Sequence, residues 1–143
     1  MIKENPIAGV ENAFAELSIS LEKACDILVK AREFDAKVGP VERGHGSNAA
    51  DTGKRKILED YEDATLLELR AAIDDLNDDE LIDVIALGWL GRGDFSRAER
   101  VEARALAGER HRRHSADYLT GIPKLGDCLE EGLAQVGYSC GRF

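Results

Sequence analysis

Apolar residues recur along most of this chain at intervals of three and four, the period of one face of an α-helix, and no stretch alternates with the two-residue period of a half-buried strand. With Ser20 as N-cap, Leu21, Ala24, Cys25, Leu28 and Ala31 share a face, and Ile27 pairs with Phe34 one heptad on. This helix is expected to end before Gly39-Pro40, because proline lacks the amide hydrogen that would continue it. Thr65-Leu66-Leu67-Glu68 has the form of a capping box, in which a hydroxyl and a glutamate satisfy each other's backbone amides. Leu66, Leu69, Ala72, Ile73 and Leu76 share one face of the helix it opens, which ends at Asn77.

Asn77 or Asp78 can cap the next segment, where Asp79 and Glu80 complement the helix dipole. Leu81, Ile82, Val84, Ile85, Ala86, Leu87, Trp89 and Leu90 are apolar almost all round, so the helix over 79–91 must be central, with neighbours on most sides. Gly91 and Gly93 are expected to stop it. Ser96-Arg97-Ala98-Glu99 opens a further helix with a small-residue stripe of Ala98, Val101, Ala105 and Gly108, expected to run through Tyr118 and Leu119 to Gly121. Pro123 suits the first position of a last helix, with Leu125, Leu129, Gly132, Leu133 and Val136 in period and Gly137 as its stop. The prediction is an all-α, single-domain bundle of about five helices around the segment 79–91. Residues 1–17 read as a loosely ordered N-terminal arm, 18–138 as the helical domain and 139–143 as a C-terminal tail. Residues 39–63 form a long Gly-rich loop, with Ile57, Leu58 and Tyr61 as its expected anchors.

Charge sharpens this picture. Residues 58–83 carry eleven Asp and Glu against Arg70 alone, whereas 92–113 carry seven Arg against four acids, which predicts one negative and one positive face. A net charge of −9 opposes attraction to nucleic acid or an anionic membrane, and no window is apolar enough for a signal or spanning segment. Cys25, Cys128 and Cys140 are odd in number and widely spaced, so reduced thiols are expected, and the chain reads as cytoplasmic.

Several motifs imitate chemistry. Asp75-Leu76-Asn77-Asp78-Asp79 resembles the start of an EF-hand, but the sixth residue is Glu80 rather than Gly and the twelfth is Ala86 rather than Glu, which leaves a capped helix-helix turn. His111, His114 and Asp117 follow H-x-x-H-x-x-D and could offer a metal two imidazoles and a carboxylate, completed by Glu130 or Glu131; Arg110, Arg112 and Arg113 would repel the cation. Gly44-His45-Gly46-Ser47-Asn48 lacks the strand, the helix N-terminus and the Lys-Ser/Thr ending of a phosphate loop. Arg92-Gly93-Asp94 is read as a turn, and Arg97, Arg100 and Arg104, interleaved with Glu99 and Glu102, as a solvated helix face.

The segments 17–37 (LSISLEKACDILVKAREFDAK), 86–95 (ALGWLGRGDF) and 116–133 (ADYLTGIPKLGDCLEEGL) resemble an uncharacterised bacterial family of unknown function, over roughly residues 17–138. That resemblance implies a small soluble bacterial protein and supplies no activity, cofactor or catalytic residue. The expectation is a non-catalytic cytoplasmic protein-interaction module with no cofactor, binding another protein or a second copy of itself, and neither nucleic acid nor membrane. The alternative is a small metal- or ligand-dependent enzyme using His111, His114 and Asp117.

Overall fold

A computed structural model describes residues 16–42, 62–110 and 115–141. Among these residues there are six α-helices and no strand, as an all-α bundle requires: α1 (Leu21–Glu42), α2 (Leu67–Asp74), α3 (Asp78–Arg92), α4 (Arg100–Arg110), α5 (Ser115–Thr120) and α6 (Leu125–Gln135). The loop positions Gly44 to Asn48, Ile57, Leu58 and Tyr61 lie outside the described residues.

The all-round apolar segment is the centre of the molecule. Val84, Ile85, Ala86, Leu87, Trp89 and Leu90 are all buried, with α6 and α4 packed on different sides of α3, while α1 packs on α6 and α2 on α5. Asn77 caps α3: its side chain accepts from the Glu80 amide at 2.8 Å, and Glu80 Oε1 accepts from the Asn77 amide at 2.9 Å. The helix passes through Gly91 and stops at Gly93, whose φ of 93° places it in the left-handed conformation that closes helices. Gly91 serves packing instead. A Cβ there would fall on the Cys128 carbonyl of α6, and one on Gly132 would fall on the Leu87 carbonyl of α3, so the two helices approach backbone to backbone.

Elsewhere the structure corrects the sequence reading. α1 continues to Glu42, past Gly39-Pro40, since a proline in a final turn removes only one amide bond. At Thr65 no side-chain cap forms; a π-helical turn, Glu62–Leu66, feeds directly into α2, and Thr65 is buried. Pro123 precedes the last helix, which starts at Leu125 after Lys124 in the left-handed region (φ 57°). The buried face of α4 is Ala103 and Ala107, whereas Val101 is 73% exposed and Ala98 and Ala105 face solvent. What rotates α4 is charge: Arg104 reaches inward to Asp83, a residue of the central helix that is 1% exposed. A carboxylate so deeply buried needs a cation and hydrogen bonds, and Asp83 Oδ2 also accepts from the amides of Ser18 (2.5 Å) and Ile19 (3.0 Å).

The two charge blocks therefore do not simply form opposed faces. Arg104 binds Asp83 of the acidic block, Arg70 binds Asp117 at 2.6 Å, Arg92 binds its neighbour Asp94, and Arg100 donates to the Glu16 carbonyl at 2.5 Å. At Arg104, Arg70 and Arg100 the charge ties one element to another.

The thiol expectation is also overturned for two of the three cysteines. Cys25 on α1 and Cys140 beyond α6 form a disulfide, with a Cα separation of 5.5 Å across 115 positions of sequence. Only folding brings them together.

Candidate functional site: an acid-rimmed groove and an aromatic pocket

Two concavities stand out. The first is a groove of about 540 Å³ between the start of α1 and the chain that follows α6, lined by Leu21, Glu22, Cys25, Asp26, Val29, Ser139 and Cys140. The disulfide, Leu21 and Val29 make up its apolar lining. Leu21 lies on the apolar stripe of α1 yet is 36% exposed. Successive turns of α1 place the carboxylates of Glu22 and Asp26 along the rim, four residues apart on one face. Lys30 partly neutralises Asp26 at 2.6 Å.

The segment that contributes Ser139 and Cys140 follows a left-handed Gly137 (φ 96°), which turns the chain out of α6 toward Cys25 of α1. Nearby, Arg32 of α1 binds both Asp127 (3.1 Å) and Glu130 of α6. The Asp35 carboxylate accepts from the Gly126 amide at 3.2 Å, which ties α1 to α6 a second time.

The second concavity, of about 280 Å³, lies where the end of α3 meets α4 and α5, and is lined by Trp89, Arg92, Asp94, Phe95, Leu106, Arg110 and Tyr118. Trp89 and Phe95 stack with ring centroids 5.6 Å apart, and the Trp89 indole N–H donates to the Tyr118 oxygen at 2.8 Å. Arg92 Nε and Nη2 both donate to Asp94 Oδ2, at 2.9 and 2.6 Å. That hydrogen bond holds the guanidinium pKa above its ordinary value against partial burial, with further help from Tyr118. The Cys128 thiol, half-buried, has its pKa pushed up by burial although Arg92 pulls the other way, so it is poorly suited to act as a nucleophile.

Of the metal candidates of the sequence, Asp117 and the last-helix glutamates fall among the described residues. His111 and His114 lie outside the described residues, Asp117 is engaged by Arg70 at 2.6 Å, and Glu130 is engaged by Arg32. Among the described residues no group of three His, Cys, Asp or Glu is arranged to hold a metal. The EF-hand look-alike resolves into capping: Asp75 closes α2, Asp78 and Asp79 enter the first turn of α3, and Glu80 completes its cap. Sequence reasoning missed the Cys25–Cys140 bridge and the meeting of Phe95 and Tyr118 with Trp89. The signal available for the latter was Trp89 itself, since a buried indole N–H demands an acceptor from another element.

Comparison with known proteins places the chain in a family without assigning it a role. A family model described as "Protein of unknown function (DUF3775)" matches residues 67–138, just over half of the chain, and the chain belongs to that family. No curated protein and no solved structure matches it. The matched stretch contains the whole aromatic pocket, whereas every residue lining the groove falls outside it.

Proposed function

We propose, for this member of a family that brings no activity with it, a non-catalytic protein-interaction role in which the groove beside the disulfide receives a segment of a partner protein. The occupant presents an apolar side chain flanked by Lys or Arg. The observation that carries this reading is the pairing of an apolar lining with carboxylates: Leu21 and Val29 would cover the apolar side chain, and Glu22, with Asp26 shared with Lys30, would face the basic residues. The net charge of −9 favours approach of a cationic segment over an anionic one.

A synthetic amphipathic peptide of Leu and Lys, titrated against the full chain by calorimetry, tests this. Binding is expected, with Val29→Asp and Glu22→Lys each weakening it by about tenfold or more, on the scale of losing a buried apolar contact or a charge pair. A matching Leu and Glu peptide should not bind. Equal binding of both peptides, or no effect of Val29→Asp, overturns the reading. Light scattering that reveals a dimer abolished by Val29→Asp would instead assign the groove to a second copy of the chain.

The bacterial origin rests on the resemblance of 17–37, 86–95 and 116–133. No helix among the described residues is long and apolar enough to cross a membrane. A cytoplasmic location follows from the sequence reading, and the Cys25–Cys140 bridge weighs against it, because reducing compartments rarely keep disulfides. Thiol counting on protein from its native source decides between them.

A further inference from the structure

The aromatic pocket is unrelated to the groove and has the opposite electrostatic character. Two guanidiniums, Arg92 and Arg110, converge on it against the single carboxylate of Asp94, in a protein whose overall charge is strongly negative. Asp94 already accepts two hydrogen bonds from Arg92, which fixes that guanidinium in place. Arg110, exposed at the end of α4, has no carboxylate partner among the described residues, so the excess positive charge is localised on it. The remaining lining is apolar or aromatic: Phe95, Leu106 and Tyr118 are each only half-buried and present their surface to the cavity, while Trp89 forms the base, held by Tyr118 and by stacking on Phe95. Flat apolar walls with one uncompensated cation at the mouth are complementary to a planar ring carrying one anionic group. The volume of about 280 Å³ admits a single substituted ring, and little more.

We propose that this pocket binds a small aromatic anion, its ring against Phe95, Leu106 and Tyr118 and its carboxylate or phosphate on Arg110. Arg92 acts as a positioning residue, since its fork is engaged by Asp94 and holds the rim of the pocket in shape. The site lies within residues 67–138, the stretch matched by the family model.

The chain contains one tryptophan, so its single indole N–H resonance reports on the base of the pocket directly. The full chain is titrated with benzoate, phenyl phosphate, benzamide and inorganic phosphate, following that resonance by heteronuclear NMR. A saturable shift with benzoate or phenyl phosphate, and none with benzamide or inorganic phosphate at equal concentration, is expected. The tighter of the two aromatic anions identifies the charged group. Arg110→Gln should weaken the aromatic anion by about tenfold or more, the scale of one charge-assisted hydrogen bond, and Arg110→Lys should retain part of the affinity. Both variants alter an exposed side chain, and an unshifted indole resonance in their free spectra checks that the pocket is intact. Benzamide matching benzoate, inorganic phosphate matching phenyl phosphate, no saturable shift with any probe, or full affinity in Arg110→Gln each overturns the proposal.

Discussion

The groove and the aromatic pocket sit on the same bundle but are built in different ways. The pocket is assembled from residues 89–118, where the end of α3, the turn after it, α4 and α5 follow one another along the chain. The groove joins residues 21–29 to 139–140, so it exists only because the two ends of the described chain meet and are bridged. The pocket is continuous with the buried core through Trp89, whereas the groove lies at the start of α1, where Leu21 is exposed. Perturbing one region should therefore be separable from perturbing the other. The core-linked region should report on global stability, and the bridged region on the state of two sulfurs.

The largest expected effect is on the pocket side. Trp89→Ala should lower unfolding free energy by about 3–5 kcal/mol, the usual cost of emptying a buried aromatic site, and it also removes one donor to the Tyr118 oxygen. Chemical denaturation measures this directly. A loss under about 1 kcal/mol would mean that Trp89 contributes to a binding surface more than to the core, which would collapse the distinction between the two regions.

On the groove side, Cys140→Ser should cost about 2–4 kcal/mol, because the bridge closes a long loop and restricts the unfolded chain. The Trp89 fluorescence of the folded variant should match that of the parent, as the pocket lies elsewhere. A shifted Trp89 emission would show the two regions to be coupled. Treating the parent protein with a dithiol reductant should reproduce the stability loss, and leave Cys140→Ser itself unchanged.

The smallest effect concerns Glu80, which joins the cap of α3 to α1 through Lys23 at 2.9 Å. The Asn77 amide, followed by Lys23, holds the Glu80 carboxyl pKa below the ordinary glutamate value. A depressed folded pKa stabilises the fold fully above the unfolded glutamate pKa, and that contribution disappears as the pH falls through the folded value. The thermal midpoints of the parent and Glu80→Gln should thus differ slightly at neutral pH and converge in strong acid. A gap that is constant across this range would mean that the ionised form is not what the cap requires.

The helices themselves were legible in the sequence because burial follows periodicity. The α3 segment is apolar on all sides and can only be central; the Asn77 cap and the stripe of α6 were likewise readable from spacing. Boundaries were less so. Pro40 and Thr65 carry local signals, but a terminal turn can absorb a proline and an upstream π turn can replace a side-chain cap. Of the candidate site residues, Asp117 is used as the partner of Arg70, a pairing between α2 and α5 that no local spacing announces.

What the sequence determined by itself was the class of fold, the identity of the central helix and the acidic character of the whole, all properties of composition and short-range period. Tertiary structure decided the rest. The rotation of α4 was set by Arg104 reaching Asp83, because desolvating a carboxylate costs more than exposing Val101. The pairing of Cys25 with Cys140 and the closeness of Gly91 and Gly132 to the facing backbone depend on residues far apart in sequence, and the convergence of Phe95, Arg110 and Tyr118 around Trp89 depends on how α4 and α5 fold back on the end of α3. Periodicity says which face of a helix is buried, and only packing says against what.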